Sequence, residues 1–182
     1  MLVLASTSPR RIELLKSLGI DFQTVAPPFE ETPTSLQAGE EALYFAEQKA
    51  RSVADRCPNS LVLASDTLIE CEGEKLGKPK DKNDAERMLK HLSGKTHNLY
   101  TAVVLLNTAK GSLKKHLETV KVTFKTLSQV QIDDYVASGE PMGKAGGYAI
   151  QEKGNELVQK IEGDINAVIG LTLKLIKEWL HL

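Results

Sequence analysis

HNLYTAVVLLNTAKGSLKKHLETVKVTFKT, residues 97–126, carries two long strand candidates, His97 to Asn107 and Leu117 to Thr126, joined across Lys110 and Gly111. In the second, Val120, Val122 and Phe124 alternate with Lys121, Thr123 and Lys125, the period-two pattern of a half-buried strand. A hairpin of this length is out of place in a purely parallel doubly wound sheet, so the stretch predicts a mixed sheet.

Outward from the hairpin, strands and helices alternate. Leu2 to Ala5 reads as a buried strand, Phe22 to Ala26 as a second ended by Pro27 and Pro28, Leu61 to Ala64 as a third and Leu68 to Cys71 as a separate piece. Helical stripes run from Pro9 to Leu18, from Gly39 to Arg56 and from Asp84 to Leu92. Ser128 followed by Gln131 makes a capping box for a helix bearing Ile132, Tyr135 and Val136. Two short strands are expected near Tyr148 and Val158, and a last helix ends near Trp179. The fold class is α/β, and at 182 residues one domain spanning 1–182 is the default.

Composition narrows the function. The chain is 41% hydrophobic and 26% charged, and 23 Lys and Arg nearly balance 24 Asp and Glu, which argues against a wide basic surface for nucleic acid. Cys57 and Cys71 lack metal-like spacing, pointing to a reducing compartment. No apolar run approaches the length of a membrane span and the first residues lack a charged leader, so a cytoplasmic protein is expected.

In LASTSPRRIELL, residues 4–15, Ser8 is a good N-cap and Pro9 suits the first helical turn, which puts Arg10 and Arg11 where backbone amides already carry partial positive charge. That is either an anion site suited to phosphate or a solvated basic turn. Asp66 directly follows the apolar LVLAS, at the strand end where α/β folds place sites, or is a turn aspartate. Glu30 and Glu31 are loop carboxylates for a divalent cation or solvated charges. Lys49 lies beside the apolar stripe of the second helix, and Lys78 sits between Gly77 and Pro79 in a ligand-approaching loop or a simple turn. GKAGGYAIQ, residues 143–151, approaches a strand ending in Gln151, whose amide can read a base edge or merely fill the surface. The phosphate loop GxxxxGK[ST], a GxSxG elbow and a histidine metal cluster are all absent. What accumulates is cations for a polyphosphate, acids for a metal and an amide for a base.

Along nearly its whole length the chain resembles the Maf family of nucleoside triphosphate pyrophosphatases. The matching blocks are LASTSPRRIELL, FEET, AEQKA, ASDTLIE, GKPKDKNDAERMLKHLSGKTHNLYTAV, YVASGEPMGKAGGYAIQEKG and IEGDINAVIGL, in that order. The resemblance implies a two-lobed Maf/ITPase-like fold with a long mixed sheet and a cleft between lobes. It implies hydrolysis between the α and β phosphates, with magnesium or manganese as cofactor. By the same resemblance Asp66 would activate water and share the metal with Glu30, Lys49, Lys78 and Arg11 would neutralise the triphosphate, and Ser8 with the helix amides would cradle it. Arg10, Thr67 and Gln151 match the dTTP and UTP branch. The 7-methyl-GTP branch carries Trp, Gln and Glu there, and the family also carries a link to septum formation. A homodimer is implied. The chain departs from the family pattern at Gly143, often Asp, and at Thr172, often Pro.

Overall fold

The strands of the computed structural model, which describes residues 1–182, form one seven-stranded mixed sheet. Its order is β2 (Gln23–Thr24), β1 (Leu2–Leu4), β3 (Leu61–Cys71), β5 (Thr96–Asn107), β6 (Ser112–Phe124) and β7 (Val158–Glu162), with β4 (Glu74–Leu76) paired to β3. β1 is parallel to β2 and to β3, with Leu2, Val3 and Leu4 opposite Leu61, Val62 and Leu63. β4 on β3 and β7 on β6 are antiparallel. The four residues between β5 and β6 allow only a hairpin, since a parallel connection needs a long crossover. The mixed sheet expected from residues 97–126 is therefore present.

The chain divides into two compact units. The first comprises residues 1–67, 101–118 and 170–182. Its core joins Leu4, Leu63, Val103 and Leu105 from strands to Leu15 of α1 (Pro9–Lys16) and Ile176 of α6 (Leu173–Leu180). The second comprises residues 68–100 and 119–169. There Ile69, Leu99, Val122 and Phe124 pack with Met88, Leu89 and Leu92 of α3 (Lys82–Leu92) and Ile132 and Tyr135 of α4 (Gln129–Ala137). The Ser128 capping box of α4 is formed, the Gln131 amide donating to the Ser128 hydroxyl and the Gln131 side chain accepting from the Ser128 amide.

Several local expectations change. The pieces at 61–64 and 68–71 are one eleven-residue strand, so Asp66 lies inside β3 and not after its end. β2 shrinks to the two residues opposite Val3 and Leu4. The second helix, α2, spans Ala38–Ser52, and its last turn is a separate 3-10 turn at Ala54–Arg56. α3 begins at Lys82 because Asp81, whose carboxylate accepts from the Asp84 amide, is its cap. β6 starts at Ser112, five residues before the expected Leu117. No strand forms at Tyr148: Gly146 and Gly147 adopt left-handed φ of 66° and 70°, which interrupts an extended backbone.

Candidate active site

Ser65, Asp66 and Thr67 are a polar trio inside a buried strand, which is stable only if every polar atom finds a partner. Each does within the first unit. The Ser65 hydroxyl donates to the Gly170 carbonyl at 2.8 Å. Thr67 Oγ1 pairs with Thr101 Oγ1 at 3.1 Å and accepts from Arg11 Nη2 at 3.2 Å. The Asp66 carboxylate, 4% exposed, meets the ammonium of Lys49, 6% exposed. Lys49 reaches it from the face of α2 that also buries Phe45, Ala46 and Ala50.

Lys49 has a second partner, Glu31 Oε1 at 2.5 Å, so one ammonium faces two carboxylates. The loop bearing Glu31 is tied to α2 three residues on, where Thr34 donates its amide (2.5 Å) and hydroxyl (2.7 Å) to the buried Glu41. Of the two adjacent acids, both exposed as residues, it is Glu31 whose carboxylate reaches Lys49. Which of two adjacent loop acids faces a distant cation is not encoded in their neighbours in sequence. Burial is the largest influence on Asp66 and raises its pKa; Glu31 adds to that, and Lys49 and Arg11 oppose it, with the net shift upward.

Arg11 is on α1, as expected, and its guanidinium is already engaged: Nε donates to the Gly170 carbonyl at 3.1 Å and Nη2 to Thr67. Burial lowers its pKa, while Asp66 and Glu31 raise it. The charge of Arg11 at this end of α1 is thus met within the chain by the Gly170 carbonyl and by the carboxylates of Asp66 and Glu31. Gly170 was not legible as a site residue. Its backbone φ of 129° is one that side-chain-bearing residues rarely adopt, and a Cβ there would also lie 3.0 Å from Arg11 Nε, so the position that presents this carbonyl to Ser65 and Arg11 favours glycine. Ser8 occupies the N-cap of α1 but makes no capping bond through its hydroxyl; its amide donates to Ser6 Oγ at 3.1 Å. Arg10, in the first turn of the same helix, is half-buried.

Lys78 and Gln151 belong to the second unit, and both are exposed. Their segments are joined, since Gly146 donates its amide to the Gly77 carbonyl at 2.9 Å. No three His, Cys, Asp or Glu residues gather as a ready-made metal cage. Magnesium is commonly held by one or two carboxylates together with substrate phosphates, and the hard oxygens of Asp66 and Glu31 fit that mode. No helix is long and apolar enough to cross a membrane.

Comparison with known proteins bears on the fold and the family. The fold is similar to that of the Staphylococcus aureus Ham1 protein, with a TM-score of 0.56 at 16% identity over 99% of this chain and 97% of that one. A dTTP/UTP pyrophosphatase of Acholeplasma laidlawii is 42% identical over 181 residues, 98% of this chain and 94% of its own length. One of Myxococcus xanthus is 46% identical over 178 residues, covering 95% and 87% respectively. The family model described as Maf-like protein matches residues 1–182, and the chain belongs to the Maf family.

Proposed function

We infer that the protein is a nucleoside triphosphate pyrophosphatase that hydrolyses dTTP and UTP between the α and β phosphates, yielding the nucleoside monophosphate and pyrophosphate. The observation that carries this reading is the buried Asp66, raised in pKa and held by Lys49 beside Glu31. A carboxylate whose pKa is raised is a better proton acceptor than an ordinary surface aspartate. Asp66 takes the proton of the attacking water. Lys49 keeps the carboxylate oriented and, with Lys78, offers positive charge to the phosphates. Of the five donors of Arg11, the two already used fix Thr67 and the backbone at Gly170, which leaves the others for a phosphate oxygen. Ser8 and the first amides of α1 cradle the same anion. Arg10, Thr67 and Gln151 select the pyrimidine, the Gln151 amide pairing with the N3 and O4 edge of uracil or thymine.

For the metal, Asp66 and Glu31 are the residues assigned here, in place of Glu30. A magnesium or manganese ion, when bound, supplies neutralising charge to the phosphate oxygens. The free, buried thiols of Cys57 and Cys71 fit a reducing cytoplasm, and a homodimer is the assembly the family resemblance implies.

Pyrophosphate release from dTTP, UTP, CTP, dGTP and 7-methyl-GTP, with magnesium, manganese or chelator, tests the reading. Selective, metal-dependent turnover of dTTP and UTP is expected. Preference for 7-methyl-GTP would overturn the selectivity assignment, and binding without turnover would replace the enzyme with a nucleotide-binding regulator.

A further inference from the structure

Gln151 is exposed and lies on a segment without regular strand pairing, yet an amide that reads a base edge must be held still. The chain on both sides of it is anchored at one place. Two residues before it, the Ala149 amide donates to the hydroxyl of Tyr135, on α4, at 3.2 Å. That hydroxyl donates to Glu140 Oε1 at 2.9 Å. Beyond Gln151, the same carboxylate accepts from the Gly154 amide at 3.0 Å through Oε1 and from the Lys153 amide at 3.3 Å through Oε2. The closure is tight: a Cβ at Gly154 would fall 1.8 Å from the Ala149 carbonyl oxygen and 2.9 Å from the Tyr135 hydroxyl. Glu140 is fixed in turn, its amide donating to Ser138 Oγ at 3.2 Å and its carbonyl accepting from Lys144 Nζ.

We propose that Glu140, acting with the Tyr135 hydroxyl, is a positioning residue for nucleobase selectivity, because it clamps the backbone on either side of Gln151. The carboxylate is bonded to protein groups, the Tyr135 hydroxyl and the Lys153 and Gly154 amides. It gathers donors that precede and follow Gln151 onto one anchor, so the reach and direction of the Gln151 amide depend on it. This inference rests on the reading of Gln151 as the base-reading residue.

The test compares Gln151→Ala, Glu140→Ala, Glu140→Gln and Tyr135→Phe in the full chain with magnesium, measuring kcat and KM for dTTP and dGTP alongside thermal unfolding. Glu140→Ala should lower the preference for dTTP over dGTP by about tenfold, mainly through a higher KM for dTTP with kcat little changed, as expected when a binding contact is lost. Glu140→Gln should restore most of it, because its one carbonyl oxygen can accept from both Tyr135 and Gly154. Should Glu140→Ala not fold, Tyr135→Phe removes the acceptor of the Ala149 amide and carries the same test. If Gln151→Ala keeps the dTTP preference, the base-reading role fails and this inference with it. If Gln151→Ala loses the preference while folded Glu140→Ala or Tyr135→Phe keeps it, with only a lower melting temperature, the clamp alone is refuted.

Discussion

Two buried polar clusters, one in each unit, are built on opposite terms. In the first unit Lys49 faces Asp66 and Glu31, an ion-paired set in which negative groups outnumber the cation between them. In the second, His97 is 2% exposed and donates or accepts one bond, from Nε2 to the Tyr148 hydroxyl at 2.8 Å, within edge-on contacts to Phe124 and Tyr148. Its Nδ1 has no partner, and burial lowers its pKa to about 4, so the ring is neutral. One cluster keeps charge inside the protein at a desolvation cost; the other removes charge and behaves as part of the core. Retained charge marks chemistry, and a neutralised histidine marks packing.

The sharpest way to break that contrast is Asp66→Asn. It keeps the shape and removes the base, so turnover should fall by about three orders of magnitude while nucleotide binding, measured by calorimetry, is largely kept. Equal turnover would remove Asp66 from the base role. Lys49→Met leaves two carboxylates without their ammonium and should cost about 3 kcal/mol in denaturant unfolding. Combining it with Asp66→Asn should cost less than the sum of the two, since the uncompensated charge is then gone.

His97 titrates against folding. Its folded pKa of about 4 lies below the unfolded 6.5, so between those values the unfolded chain binds the extra proton. Its contribution is intact above pH 6.5, and about 3 kcal/mol is lost as pH falls to about 4. His97→Phe should flatten that part of the stability profile, read as the difference between wild type and variant across the window. Asp66 carries the opposite sign: a raised carboxylate pKa penalises folding as pH rises above the ordinary aspartate range and shifts the acid limb of kcat/KM upward with it. The smallest effect concerns Thr172, 5% exposed, whose hydroxyl has no partner although the residue precedes α6. Thr172→Val should be neutral or stabilise by up to about 1 kcal/mol, with kcat unchanged.

Patterned elements are legible in the sequence. Alternation along residues 120–125, the Ser128 capping box and the helical stripe of α3 depend on neighbours in sequence, and all three are found in the structure. The polar trio at 65–67 misled the reading because it looks like a strand end. Its partners, Gly170, Lys49, Arg11 and Thr101, are far away in sequence, and only they make burial of Ser65 and Asp66 tolerable. Tyr148 was misplaced in a strand for a related reason: two left-handed glycines and a bond to His97, 51 residues earlier, set its backbone.

By itself, then, the sequence determined the mixed α/β class, the family and the kinds of side chain available for triphosphate chemistry, because periodicity, caps and ordered motifs are properties of the linear chain. Only the tertiary structure decided that Glu31 and not Glu30 meets Lys49, that Asp66 lies within a strand, and that Arg11 is held by Gly170 and Thr67. Those outcomes depend on which distant groups satisfy a buried charge, and local pattern carries no information about distant partners.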